Sequence, residues 1–182
     1  MEKSFINFNL GIDNNSAQAL FRVLQDQLSN NVEEINLLIS SPGGSVDAGI
    51  GIYNFLKGLP VIVNTHNYGS CDSIAALIFC AGEKRITVSN SRFLLHGIGI
   101  DVKNLRLDEN KLEEMFGSIK NQRKIMSQII AQECNKSIED VEKDMLKGII
   151  LTSQEGINYG IATEIQDELV PSGTNFINVS FN

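Results

Sequence analysis

Residues 35–49 read INLLISSPGGSVDAG, and the order of those residue types decides the architecture. The run 35–39 is apolar except for Asn36, the pattern of a short strand covered on both faces. It breaks at Ser-Ser-Pro-Gly-Gly, and a helix is expected over 45–56. Gly43 and Gly44 thus sit between a buried strand and a helix start. Glycine admits φ > 0 and lets a backbone N–H approach a ligand closely. Such a turn suits an anion or oxyanion, although the glycine pair alone reads more simply as a tight β–α turn.

Working outward, residues 4–10 alternate as a first strand, with Ile6, Phe8 and Leu10 on one face. Asn15 or Ser16 is expected to cap a helix to residue 29, with Ala17, Leu20, Phe21, Leu24 and Leu28 on one stripe. Past Pro60, residues 61–65 read as a strand and 68–72 as a turn. Ser73 opens a compact apolar helix to Cys80, with Gly82 as its C-cap. Residues 85–88 and 92–95 read as two more short strands. Strand alternating with helix predicts stacked βαβ units and a parallel sheet.

The later part changes character. Residues 108–133 predict one helix of about 40 Å, too long to lie wholly on a small core. Ser137 to Asp140 and Thr152 to Glu155 resemble capping boxes of shorter helices. In the tail, Ile177, Val179 and Phe181 alternate enough for a strand.

Length and composition fit a single domain: 182 residues, 42% hydrophobic, 20% charged. A net charge of −7 gives no support to a phosphate-tracking face, so no nucleic-acid partner is expected. Three cysteines without C-x-x-C spacing and two histidines are poor material for a metal site. Cys71, Cys80 and Cys134 read as buried free thiols of a reducing compartment. The first ten residues are too polar for a signal peptide, and the longest apolar run, 74–81, is far too short to cross a bilayer. A cytoplasmic address and no membrane partner are the expectation.

Ser73, at a helix start, reads by itself first as an N-cap; the same position also favours a nucleophile, because the helix dipole and first-turn N–H groups stabilise developing negative charge. Its surroundings do not match G-x-S-x-G, so an elbow of the α/β-hydrolase type is not expected. A serine nucleophile needs a base. His96 ends the strand Phe93-Leu-Leu and enters a glycine-containing loop, where ligands collect in α/β sheets. His66, beside Thr65 and Asn67, reads as structural. A serine at a helix start, a histidine at a strand end and glycine turns beside them fit acyl transfer.

Four segments carry a family resemblance. Residues 39–49 (ISSPGGSVDAG) followed by Ile52-Tyr53 resemble the "I-N-S-P-G-G-S-V-x-A-G…I-Y" segment of the Clp protease proteolytic-subunit family. Residues 69–73 (GSCDS) with Ile78 and Ala81-Gly82 resemble its nucleophile helix, and residues 90–96 (NSRFLLH) its "N-S-R-V-M-I-H". Residues 151–160 resemble "M-S-A-x-E-A-x-x-Y-G". The match runs in order over about residues 4–166.

The resemblance implies a crotonase-like α/β spiral of ββα units: a core of residues 1–100 and 148–182, and a protruding helical handle at about 101–147. The handle is where two sevenfold rings of identical subunits would meet. Carried over by motif, Ser73 is the nucleophile of a serine endopeptidase and His96 its base. The N–H groups of Gly44 and Ile74 form the oxyanion hole. An unfolded polypeptide would bind as an added strand between Ser45-Val46 and Gly97, Ile98 and Gly99. No metal or organic cofactor is implied.

Three departures stand against the family pattern. The slot of the third catalytic residue, an Asp, holds Gly148, with Asp144, Asp101 and Asn104 as nearby candidates to substitute. Asp72 stands before Ser73 where a small residue is usual, a charge that would favour a protonated imidazole close by. The chain also begins at the first core strand, without the axial segment that engages an AAA+ ATPase, which argues against dependence on one. Gly148 motivates an alternative, a ClpP-like scaffold with weak or lost chemistry. A crotonase-like acyl-CoA enzyme is more distant, because it has no use for a Ser73/His96 pair.

Overall fold

A computed structural model describes residues 2–100 and 106–181. Strand β1 (Lys3–Phe8) leads into helix α1 (Asn14–Ser29), β2 (Glu34–Ser41), α2 (Val46–Lys57), β3 (Ile62–Asp72) and α3 (Ile74–Phe79). Two short strands follow, β4 (Arg85–Thr87) and β5 (Arg92–Leu95), then α4 (Glu109–Cys134) and α5 (Ile138–Lys147). The chain ends with β6 (Ile149–Thr152), α6 (Ser153–Tyr159), β7 (Glu164–Ile165) and β8 (Ile177–Asn178). The sheet runs β6-β5-β3-β2-β1-β8, with β4 beside β3 and β7 beside β4. Every pairing is parallel except β5 with β6, the one exception to the expected parallel sheet.

Central β2 is covered on both faces, as its apolar run requires, and Ile35, Leu37 and Ile39 are fully buried. They share a core with Ile6 and Phe8 of β1, Leu20 and Leu24 of α1, and Ile52 and Leu56 of α2. Helix α3 is buried along its whole length, so it forms the centre of the packing. Gly49 lets α2 lie against α3, since a Cβ there would collide with the Ile74 side chain.

Several boundaries differ from the sequence expectations. Strand β3 does not turn at 68–72 but continues to Asp72, because Ser70, Cys71 and Asp72 pair with Arg92, Phe93 and Leu94 of β5. Helix α1 is capped by Asp13, not Asn15 or Ser16. Ser16 N–H donates to Asp13 Oδ1 (2.7 Å) and Asp13 N–H to Ser16 Oγ (2.9 Å), a closed capping box. Helix α3 ends at Cys80 in a right-handed conformation, so Gly82 is not its C-cap. Gly82 is required instead by packing, since a Cβ there would lie 2.8 Å from Thr65 N.

Helix α4 starts at the Asp108 cap, whose carboxylate accepts from Lys111 N–H. Its buried residues are all in the C-terminal part, from Met126 to Cys134. Leu112 and Phe116 near the other end are 52% and 58% exposed, so that end projects from the core. Among the described residues no helix is long and apolar enough to cross a membrane.

Candidate active site

The site forms where three chain turns converge. The first is the loop after β2. Ser41 Oγ donates to Leu10 O (2.7 Å) and accepts from Gly43 N–H (3.2 Å), pinning the loop to the end of the first strand–loop unit. Ile12 N–H donates to Gly43 O (2.9 Å) and Ser45 N–H to Ile12 O (2.7 Å). This bridge leaves out the N–H of Gly44 itself. Gly43 has φ +88° and Gly44 φ +149°. A Cβ on Gly43 would lie 2.7 Å from both Asp72 O and Ser73 Cβ, so the second turn presses directly on the first.

That second turn joins β3 to α3 at Ser73. Ser73 N–H donates to Leu94 O (2.7 Å), which carries the chain out of the sheet, and the residue takes φ 59°, ψ −128°. A non-glycine residue there stores on the order of 1–3 kcal/mol of strain. The Ser73 side chain makes no capping hydrogen bond, which removes the N-cap reading. This is a sharp, strained strand-to-helix turn of the elbow kind, contrary to the expectation from the missing G-x-S-x-G. The room that flanking glycines would supply in that motif is supplied here across space by Gly43. Ile74 is the first residue of α3, so its N–H is among the donors with no acceptor inside the helix.

The third turn leaves β5 at His96, which is exposed. Ser73 and His96 face one cleft of about 350 Å³. Gly44 and Val46 line one side and Gly97, Ile98 and Gly99 the other. The two catalytic candidates are not hydrogen-bonded to each other, and His96 has no hydrogen-bond partner among the described residues. Apo sites commonly tighten only when substrate binds.

Ser45, expected to pair with substrate, is committed elsewhere. Its N–H reaches Ile12 O, its carbonyl accepts from Gly49 N–H (3.0 Å), and its hydroxyl caps α2 at Ala48 N–H (3.4 Å). Val46 is the neighbour that faces the cleft.

Gly148 lies beside His96. It ends α5 in the left-handed conformation (φ 72°, ψ 64°), and a Cβ there would be 3.9 Å from His96 Cβ. Asp144 is no replacement, because its Oδ2 accepts from Tyr159 OH (3.2 Å). Asp101 and Asn104 lie outside the described residues. Asp72 is not aimed at Ser73: its buried Oδ2 accepts from Arg92 Nη2 at 2.7 Å, while Oδ1 has no partner among the described residues. This strand-to-strand ion pair was not foreseen. Its only sequence signal was an acid and a base near the ends of what prove to be paired strands.

His66 belongs to a different place. Its Nε2 lies 3.1 Å from Asn36 Oδ1 in a polar cluster with Glu34 and Asn64, at a separate cavity of about 360 Å³. Burial pulls its pKa down to about 4 in spite of the Glu34 carboxylate, so it is neutral at pH 7.

Comparison with known proteins bears on the family and the fold. The Clp protease family model matches residues 1–168. The ATP-dependent Clp protease proteolytic subunit 1 of Rhodopirellula baltica is 31% identical over 157 residues, covering 83% of this chain and 66% of that protein. The corresponding subunit of Paracoccus denitrificans is 32% identical over 135 residues, covering 73% and 66%. The matches thus span just under two thirds of these relatives' length. The solved structure of a ClpP1 point mutant from Listeria monocytogenes superposes with a TM-score of 0.79 at 25% identity, covering 92% of each chain. With its fold and its family model in agreement over nearly the whole length, the chain belongs to the Clp protease family.

Proposed function

We propose that this chain is the subunit of a ring-forming serine endopeptidase that cleaves unfolded polypeptides inside a chamber. The observation that carries this reading is the conformation of Ser73: it is strained, free of any capping duty and open to the cleft that His96 faces. In the proposed reaction His96 removes the Ser73 proton as Oγ attacks the peptide carbonyl. The N–H groups of Gly44 and Ile74 hold the oxyanion, His96 protonates the leaving amine, and water then hydrolyses the acyl-enzyme. An extended peptide lies between Val46 and the Gly97, Ile98 and Gly99 segment, held mainly through its backbone and hence with little sequence preference.

The same reading treats the chain as one domain with a core and a handle. The projecting half of α4, with exposed Leu112 and Phe116, is the surface that packs against another subunit. The curated relatives are named as ATP-dependent proteolytic subunits, which favours a polypeptide substrate and a cytoplasmic setting. Fluorophosphonate labelling read by intact mass tests the site: one adduct on wild type, lost in Ser73→Ala and His96→Ala. An adduct that persists in Ser73→Ala sinks the assignment.

One observation favours a second reading, a scaffold subunit with weak chemistry. Gly148 offers no carboxylate where a side chain would meet His96, so nothing fixes the imidazole tautomer from that side. Assembled wild-type protein that takes no adduct would favour it.

A further inference from the structure

The sheet has a second covered face, turned away from the core. In the parallel register Lys3 pairs with Glu34, Phe5 with Asn36, and Asn36 with Asn64, while His66 stands beside Leu38. Alternation puts Glu34, Asn36, Asn64 and His66 on the side opposite the core residues Ile35, Leu37 and Val63. All four are buried, with only 5–8% of each exposed. Burying polar groups is costly unless each finds a partner, so their partners show what this face is built for. Residues 166–171 form the other wall of the cavity of about 360 Å³ beside His66. That volume lies within the range of small-molecule sites, about 300–1,000 Å³.

Hydrogen-bond direction across this face is fixed from one end. Lys3 Nζ closes on Glu34, 3.1 Å from Oε1 and 2.9 Å from Oε2. Asn36 Nδ2 and Asn64 Nδ2 both donate to Glu34 Oε1 at 3.1 Å. Asn36 therefore turns its oxygen to His66, whose Nε2 lies 3.1 Å away and is the donor. With the proton on Nε2, His66 Nδ1 is a bare acceptor, buried and without a partner among the described residues. Burial pulls the ring's pKa down to about 4, which keeps it neutral at pH 7.

The facing wall repeats the pattern. Gln166 Nε2 donates to Glu168 O (2.9 Å), which leaves Gln166 Oε1 without a donor among the described residues. No cation pairs with the Glu168 carboxylate among them, whereas Glu34 has Lys3. The cavity thus turns its side-chain donors onto its own acceptors, keeps acceptors over, and carries one uncompensated negative charge. Phe5, Leu169 and Val170 line it with apolar surface.

We propose that this cavity binds a primary ammonium group on a short alkyl stem, its N–H donors shared among His66 Nδ1, Gln166 Oε1 and the Glu168 carboxylate. The stem lies on Phe5, Leu169 and Val170. An alcohol lacks the charge and a quaternary ammonium lacks the N–H donors, so neither satisfies these acceptors. A lysine side chain of a polypeptide and a free alkylamine both carry the required group. The site shares no residue with the Ser73 cleft and stands whether or not that cleft is a peptidase.

The test is a titration of the full chain, isotopically labelled at nitrogen, at pH 7 and constant ionic strength. The probes are hexylammonium, Nα-acetyl-lysine methylamide, hexanol and tetramethylammonium. The chain has two histidines, so comparison with His96→Ala assigns the His66 ring. The expected result is a saturable shift of the unprotonated Nδ1 resonance with a primary ammonium, and an unfolding midpoint that rises with its concentration. Hexanol and tetramethylammonium should produce neither. Equal affinity for the lysine derivative identifies a polypeptide lysine as the source, and a response to hexylammonium alone identifies a free amine. Glu168→Gln should weaken binding about two- to fivefold, the effect of one exposed ion pair. His66→Phe should weaken it about tenfold or more. Glu168 is exposed, so its variant decides the matter even if the one at position 66 fails to fold. No saturable response, hexanol binding as tightly as hexylammonium, or unchanged affinity in Glu168→Gln would overturn the inference.

Discussion

Gly148→Asp should increase nucleophile reactivity rather than damage it. Gly148 is left-handed, a conformation that Asp tolerates better than most residues, so the backbone cost is roughly 1 kcal/mol. For a chain of this size that lowers the unfolding midpoint by about 2–4 °C. A Cβ placed there stands 3.9 Å from His96 Cβ, in ordinary van der Waals contact. The carboxylate oxygens and the imidazole Nδ1 each lie two bonds beyond those carbons, within range of a hydrogen bond of about 2.6–3.2 Å. Removing the orienting carboxylate from a serine triad costs up to about 10⁴ in kcat, so restoring one here should raise the Ser73 acylation rate at least tenfold. Gly148→Ala carries the same backbone strain without the carboxylate, and Gly148→Asn orients the ring without the charge. The assay is the fluorophosphonate labelling rate, with thermal unfolding alongside. A folded Gly148→Asp variant that labels no faster than Gly148→Ala would refute the argument that this position addresses His96.

Gly43→Ala should abolish labelling and destabilise the fold by about 2–4 kcal/mol, measured by urea unfolding, because its Cβ would lie 2.7 Å from Asp72 O and Ser73 Cβ at a positive φ. Arg92→Ala should cost about 1–2 kcal/mol and exceed the cost of Asp72→Asn. It leaves a buried carboxylate unpaired, while the half-exposed arginine limits the size of the loss. His66 makes stability depend on pH. Its folded pKa of about 4 lies below the unfolded 6.5, so its contribution is complete above about pH 6.5 and is lost as pH falls towards 4. The full loss is roughly 3 kcal/mol at one pKa unit per 1.4 kcal/mol. Urea unfolding at pH 7 and pH 5 should show a smaller difference for His66→Gln than for wild type, and equal differences would contradict the buried neutral ring.

Much of this arrangement was legible because its signals are local. The buried run at 35–39, the Pro-Gly-Gly break and the apolar helix after Ser73 each depend on near neighbours in sequence. The strand end at Leu95 likewise placed His96 at the cleft. What escaped depended on partners far along the chain. Gly69, Ser70 and Asp72 have turn-like composition, yet pairing with β5 keeps this segment extended. Gly82 looked like a helix cap but is dictated by Thr65, and Ser45 looked available until Ile12 claimed its N–H. The strain at Ser73 has no sequence motif here, because the space it needs comes from Gly43, on the loop after another strand.

The most direct test of the central claim is hydrolysis of a casein-derived fluorogenic polypeptide by the assembled protein, comparing wild type with Ser73→Ala at matched oligomeric state. The account predicts measurable cleavage by wild type and none above background by Ser73→Ala, with assembly and unfolding midpoint unchanged. Cleavage that survives in Ser73→Ala would contradict it.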